Sequence, residues 1–303
     1  IATRESPLAM WQAKHVASLI SQFDHPAQII SMVSGGDVDM RPNDGNRSVG
    51  VFTKRIQQAL LEHEGDVAVH SMKDLPTEKH PELMMAASPE RETVTDCLVA
   101  PGGGDLDTLP KSARVGTGSR RRAAQLLRRR PDLEVLPIRG NVQTRLQKLH
   151  DGEFDAIVLA SAGLLRLQMD DLPRFELSLE TMLPAPGQGA LASEVRRSDQ
   201  RALDVISKID HPNAAACTSA ERTLLSELHG GCLAPIAAHA TIDGDEIVLT
   251  ARVLSLDGTE CLEASERASI ASESDQWIDQ AAALGRNVSQ TLLDQGARPL
   301  IEA

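Results

Sequence analysis

Short apolar runs alternate with amphipathic stretches along the first two-thirds of the chain, and this alternation restricts the fold more than any other feature. The runs "QIISMVS" (28–34), "DVAVHS" (66–71), "SARVGTG" (112–118), "LEVLPI" (133–138) and "DAIVLAS" (155–161) have strand length and read as buried strands. Helices fill the intervals. Ser6 and Pro7 open the first, as N-cap and first-turn residue. "VFTKRIQQALLEHEG" (51–65) is amphipathic and stops at Gly65. "SRRRAAQLLRRR" (119–130) stops before Pro131, whose ring disfavours helical backbone in the preceding residue. "NVQTRLQKLHDG" runs from an Asn141 cap to Gly152. Strand–helix–strand order of this kind calls for α/β units with mostly parallel sheets.

The last third changes character. Helix "AAACTSAERTLLSELHG" (214–230) ends at glycine, and "IDGDE" and "LDGTE" read as hairpin turns beside the strands "IVLTARVLS" and "CLEASERAS". A closing helix runs from about Asp275 to Gln295. These predict a small C-terminal α+β domain. The segment "LPAPGQGALA" (183–192), rich in proline and glycine, predicts a hinge between two α/β lobes.

A length of 303 residues gives room for two or three domains. Hydrophobic residues make up 41% and aromatics only 2%, with no tyrosine, so the cores are aliphatic. With so few rings, nucleic-acid binding by base stacking is not expected. A net charge of −12 argues against general binding to DNA or to anionic membranes. No apolar run is long enough for a transmembrane helix. The sequence starts at Ile1 without a methionine, so a few residues or a targeting segment are expected to have been removed, and what remains shows no signal peptide. Cys97, Cys217, Cys232 and Cys261 are far apart and lack metal-type spacing. A reducing, cytoplasmic compartment and no bound metal are expected.

Against the acidic balance, "VGTGSRRRAAQLLRRR" (115–130) places six arginines in its last eleven residues. The other polar candidates also follow strands. Arg4 and Ser6 follow the first strand, "HSMKDLP" (70–76) the one ending near His70, Ser119, Arg121 and Arg122 the one ending near Gly116, and Arg139 the one ending at Ile138. In open α/β sheets the carboxyl ends of strands form the ligand crevice, so two facing lobes converge these arginines on one cleft. Guanidinium forks grip carboxylates bidentately and stay charged, and helix N-termini add free N–H groups. Ser119 to Arg122 combine both devices and read as a carboxylate or phosphate site, against the alternative of a solvated basic helix face. For Arg128–Arg130, at the helix end, complementing the dipole suffices. Asp74, beside Lys73 and before Pro76, is a candidate acid/base or cation stabiliser, against the plainer role of a loop cap. Lys73 is placed to pair with Asp74 or with substrate. Cys232 follows two glycines in "HGGCLAP", an accessible setting suited to a covalent group, with an idle thiol as the alternative.

Taken together, "IATRESPLAMWQA", "VAVHSMKDLP", "VGTGSRRRAAQL", "IRGNVQTRL", "DAIVLASAGLLRL", "PGQGALASE" and "HGGCLAP" resemble, in order and over about residues 1–235, the hydroxymethylbilane synthase (porphobilinogen deaminase) family. The resemblance implies a transferase of tetrapyrrole (haem) biosynthesis, cytoplasmic and monomeric. It joins four porphobilinogen molecules head to tail into linear hydroxymethylbilane and releases ammonia. It also implies two lobes like those of periplasmic binding proteins, over residues 1–90 with 190–208 and over 91–189, and a domain at 209–303. A dipyrromethane primer is implied on the Cys232 thioether. Each pyrrole carries an acetate and a propionate, so the arginines receive an anion that lengthens at every step. The family's catalytic aspartate matches Asp74, whose carboxylate stabilises the cationic methylene-pyrrolenine left by loss of ammonia and helps move protons. Cofactor-binding positions map onto Lys73, Asp74, Thr117, Ser119, Arg121, Arg122, Arg145, Gly163 and Gln188, and substrate-binding positions onto Arg4, Ser6, Arg139 and Arg166. For Arg145 and Arg166 a salt bridge is the competing role.

Two departures stand out. In "RPNDGNRSVGVF" (41–52) Val49 occupies a usual lysine position, with Arg47 a partial substitute, so gating of the cleft is expected to differ. In "GTGSRRR" Gly118 loses a hydroxyl and Arg120 adds a charge facing solvent. A non-catalytic two-lobed anion-binding protein accounts for the arginines and the hinge but not for Asp74 and Cys232, and a ligand-sensing regulator lacks a visible partner domain.

Overall fold

The computed structural model describes residues 1–33, 53–229, 234–270 and 276–302. The readings of the 41–52 segment, Val49 and Arg47, and of Cys232 lie outside the described residues.

The chain first builds β1 (Ala2–Arg4), α1 (Pro7–Ser21), β2 (Ile30–Met32), α2 (Lys54–Leu61), β3 (Val67–Ser71) and β4 (Leu83–Ala87). It then passes to β5 (Asp96–Val99), β6 (Arg114–Gly116), α3 (Arg120–Arg129), β7 (Glu134–Leu136), α4 (Val142–His150), β8 (Ala156–Ala160), α5 (Ser161–Arg166) and β9 (Arg174–Glu176). It returns through β10 (Leu191–Arg196) and α6 (Gln200–Ile206), and closes with α7 (Pro212–Glu227), β11 (Ile236–Asp243), β12 (Glu246–Leu254), β13 (Cys261–Ser269), α8 (Trp277–Asp294) and α9 (Arg298–Ile301).

Among the described residues, two five-stranded sheets have matching topologies, β2-β1-β3-β10-β4 and β7-β6-β8-β5-β9. In each, three neighbouring strands run parallel, the fourth is reversed and the fifth points with the first three. The reversed strands, β5 and β10, are the ones the chain enters on crossing between lobes. Two crossings therefore run side by side, residues 88–95 and 183–190, the second trimmed because Leu191 and Ala192 already belong to β10. They touch so closely that a Cβ on Gly189 would lie 2.4 Å from Glu92 O, and its φ of +83° is itself a glycine conformation.

Local signals behave as the residue types dictate. Ser6, Ser119 and Asn141 cap α1, α3 and α4 by accepting from backbone N–H groups one turn ahead. α2 stops at Leu61, earlier than Gly65, because Glu62 leaves helical geometry and His63 turns left-handed at φ 58°. Each lobe packs its sheet with aliphatic side chains: Val16, Val67, Val69 and Val195 in the first, Leu98, Val115, Leu126 and Val158 in the second. The C-terminal unit is a three-stranded antiparallel meander covered by α7 and α8.

α7 also ties this unit to the lobes. The buried Glu221 carboxylate accepts from both arms of the Arg91 guanidinium (2.7 and 2.9 Å), from Gly187 N (2.7 Å) and from Ala240 N (2.8 Å), so it holds both crossings. Its neighbour Arg222 donates to the carbonyls of Leu75 (2.9 Å) and Pro76 (2.7 Å), just beyond Asp74. Among the described residues no helix is long and apolar enough to cross a membrane.

Candidate functional site

Parallel strands deliver their carboxyl ends to one region. β3 ends at Ser71, and a 3₁₀ turn over Met72–Asp74 follows directly. β6 ends at Gly116 and leads through Thr117 to the α3 N-terminus; β8 ends at Ala160 and leads into α5. The lobes meet here. Lys73 Nζ donates to Gln188 Oε1 on the second crossing (3.2 Å), and Gln188 Nε2 donates onward to Asp96 Oδ1 of the second lobe (2.9 Å).

Asp96 is the hub, and sequence reasoning missed it. Fully buried at 0% exposure, it receives Arg122 Nη2 on one oxygen (2.7 Å) and Arg121 Nη2 on the other (2.8 Å). Burial alone would raise its pKa, but the charges of Arg122 and Arg121, the Arg122 hydrogen bond and Lys73 outweigh it, and Asp96 is held well below the usual carboxylate range. The remaining arms of the arginines reach Leu183 O (2.7 Å, from Arg121) and Val158 O (3.0 Å, from Arg122). Arg121 Nε and Arg122 Nε are buried without a partner among the described residues. The pair is thus locked in place with donor capacity left over. The sequence signal was indirect: two adjacent arginines on an inward helix face need a counter-ion, and nothing in "VTDCLV" says which acid supplies it.

The excess of positive charge lowers the proton affinity of the cations around it. Burial, then the field of Arg122, lowers Lys73 to about 8 despite the opposing pull of Asp74 and Asp96. Burial and Arg122 lower Arg145 to about 10, with Asp74 opposing and Arg139 adding to the shift. Asp74 is therefore the half-buried carboxylate in the field of Lys73 and Arg145, and Arg139 and Arg122 stand in the same field. Arg145 Nε donates to Gly140 O (2.8 Å), and no carboxylate of the described residues pairs with it.

The hydroxyl candidates are spent on backbone. Ser6 and Ser119 serve as caps, and Thr117 Oγ1 accepts from Ser119 N (3.2 Å). Arg4 ends β1, two residues before the Ser6 cap. Arg166 donates to Gly189 O (2.7 Å), and Gly163, Arg166 and Lys73 line a cavity of about 40 Å³ between the lobes. Arg120 is half-buried at the start of α3, and Arg130, at the other end, pairs with Asp132 (2.7 Å). Gly118 has a steric reason: a Cβ there would lie 2.9 Å from Ile138 O, so the turn before α3 hugs the backbone just before Arg139, two residues beyond β7, which ends at Leu136 rather than Ile138.

Comparisons with known proteins show the family. The family model for "porphobilinogen deaminase, dipyromethane cofactor binding domain" matches residues 1–204, and that for "porphobilinogen deaminase, C-terminal domain" matches residues 215–294. The porphobilinogen deaminase of Chromobacterium violaceum is 44% identical, covering 100% of this chain and 96% of that protein. That of Corynebacterium efficiens is 42% identical over 99% of this chain and 98% of its own length. Among solved structures, a probable amino-acid ABC transporter extracellular-binding protein from Bacillus subtilis aligns at 13% identity and a TM-score of 0.42, over 69% of this chain and 87% of that one. Matched by family models over residues 1–204 and 215–294 and by relatives that share nearly all of its length, the chain belongs to the porphobilinogen deaminase family.

Proposed function

We propose that the chain is a hydroxymethylbilane synthase, a transferase that deaminates porphobilinogen and joins four molecules head to tail on a dipyrromethane primer held by Cys232. The observation that carries the reading is the half-buried carboxylate of Asp74 set among Lys73, Arg145, Arg139 and the Arg121–Arg122 pair locked by Asp96, both of whose buried Nε donors lack a partner among the described residues. A carboxylate-bearing oligopyrrole fits this donor set: its acids satisfy cations that the protein leaves under-neutralised. Arg121, Arg122, Arg145, Lys73, Thr117, Ser119, Gly163 and Gln188 would hold the primer, and Arg4, Ser6, Arg139 and Arg166 the incoming substrate. When bound, the dipyrromethane supplies the pyrrole carbon to which the first substrate is joined.

The chain's own residues do the rest. Asp74 accepts hydrogen bonds from pyrrole N–H groups and offsets the positive charge that develops as ammonia leaves. The locked arginine pair provides fixed donors that need no reorganisation. Lys73 is a cation below about 8 and a neutral amine above it. A reducing, cytoplasm-like setting and a monomer without nucleic acid complete the proposal.

The test is conversion of porphobilinogen to a linear tetrapyrrole with release of ammonia, compared with a Cys232→Ser variant. The variant is expected to give no colour with an aldehyde reagent for pyrroles after purification, and an unchanged colour reaction would overturn the tether. A further expectation concerns pH. Because Lys73 loses its proton at about 8, kcat/KM should fall as pH rises through that value. Lys73→Gln should lower the profile throughout and remove that limb, whereas a limb retained at the same pH would assign the ionisation to another group.

A further inference from the structure

Trp11 and His15 lie one turn apart on α1, and their rings stack with centroids 5.0 Å apart and planes 12° from parallel. The guanidinium carbon of Arg166 sits over the Trp11 ring, 5.6 Å from its centre. Trp11 belongs to the first lobe and Arg166 to α5 of the second, so the contact bridges the cleft. A third element joins them, since Arg166 Nη2 donates to Gly189 O on the crossing (2.7 Å). Arg166 is 7% exposed, and among the described residues its buried Nε has no partner and no carboxylate forms an ion pair with it. An arginine in such a setting is normally oriented by an acid. Here an aromatic face and one carbonyl hold it, and the Glu92 carboxylate acts only through its field.

We infer that Trp11 is a positioning residue for Arg166, its ring a platform braced by His15 that holds the guanidinium in a fixed orientation where the lobes meet. The inference rests on the reading of Arg166 as a substrate-binding residue. Cation–π attraction strengthens when the pair is desolvated, and a guanidinium fixed in advance loses less side-chain freedom on gripping a carboxylate. The brace suits a neutral imidazole, because a charged one would place a second cation on the same ring system. Burial first, then Arg166, pushes the His15 pKa down, with Glu92 of the first crossing opposing. Among the described residues, those two are the charged groups that act on His15 from other elements.

The chain has two tryptophans, so Trp277→Phe leaves Trp11 as the sole indole reporter. In that background the Trp11 emission should respond to Arg166→Leu and to porphobilinogen, and the response to porphobilinogen should vanish in Arg166→Leu. In the full chain carrying its cofactor, Trp11→Leu should raise KM for porphobilinogen by about five- to thirtyfold. kcat should change by less than about twofold, because the lost contact serves binding of ground and transition states alike. Trp11→Phe should recover most of the affinity. An unchanged KM in Trp11→Leu, equal defects in the Leu and Phe variants, or an emission blind to Arg166→Leu would overturn the inference. If no form, unaltered protein included, converts porphobilinogen, the functional reading fails, while the dependence of Trp11 emission on Arg166 still decides whether the platform exists.

Discussion

Replacing Asp74 with alanine is expected to reduce turnover of porphobilinogen by about a hundredfold to ten-thousandfold, the range for loss of a proton-transferring group, while the protein stays folded. The side chain is half-buried in a 3₁₀ turn whose following carbonyls are held by Arg222, so the turn keeps its support without the carboxylate. What disappears is the negative charge in a field of cations. Lys73 and Arg145 both lose a group that favours their charged forms, so Lys73 should release its proton at a still lower pH. Asp74→Glu, which keeps the charge on a longer stem, should be less impaired than Asp74→Ala. Release of linear tetrapyrrole at a near-normal rate by Asp74→Ala would refute the assignment.

The second large effect falls on stability. Asp96→Asn removes the carboxylate that neutralises Arg121 and Arg122 and leaves two buried guanidinium groups without an ion-pair partner among the described residues. Breaking a buried pair in this way costs about 3–5 kcal/mol, measurable as a lowered denaturation midpoint. The sign with pH follows from the direction of the shift. Asp96 has a folded pKa below its ordinary value of 3.8, so its contribution is present above that value and is lost as pH falls below it towards the folded one. The variant should therefore show a weaker loss of stability in acid than the unaltered protein. A midpoint unchanged by Asp96→Asn would mean that the arginines find other partners.

The three-strand parallel runs were legible because their strands are apolar and bounded by capped helices, as "DAIVLAS" and "DVAVHS" illustrate. The reversed strands were not. β5 offers only the four apolar residues Cys97 to Ala100 after the buried Asp96, with no capped helix before it, and β10 carries Glu194 in its interior and ends at Arg196, which breaks its apolar run. Their polar groups make sense only once partners from distant segments are placed: Gln57 and His70 for Glu194, and the carbonyls of Leu60 and Gly65 for Arg196. The crossing at 88–95 was likewise invisible, while its partner at 183–190 announced itself through proline and glycine. At the site, charge-bearing residues could be listed from their places after strands, but not their division of labour. Arg121 and Arg122 read as ligand-binding residues, and the structure shows that each commits two arms to the protein. Glu221 gave no signal at all, because a glutamate in a helix reads as solvated surface until the crossings it holds are placed beside it.

In the proposed enzyme a carboxylate-rich oligomer, tethered by sulfur, lies across under-neutralised cations beside one aspartate. An intact mass spectrum of freshly purified, active protein tests it most directly. A mass above that of the chain by two linked pyrrole units, present in Asp74→Ala and absent in Cys232→Ser, is the expected result. Active protein at the bare chain mass, with a free thiol at Cys232, would contradict it.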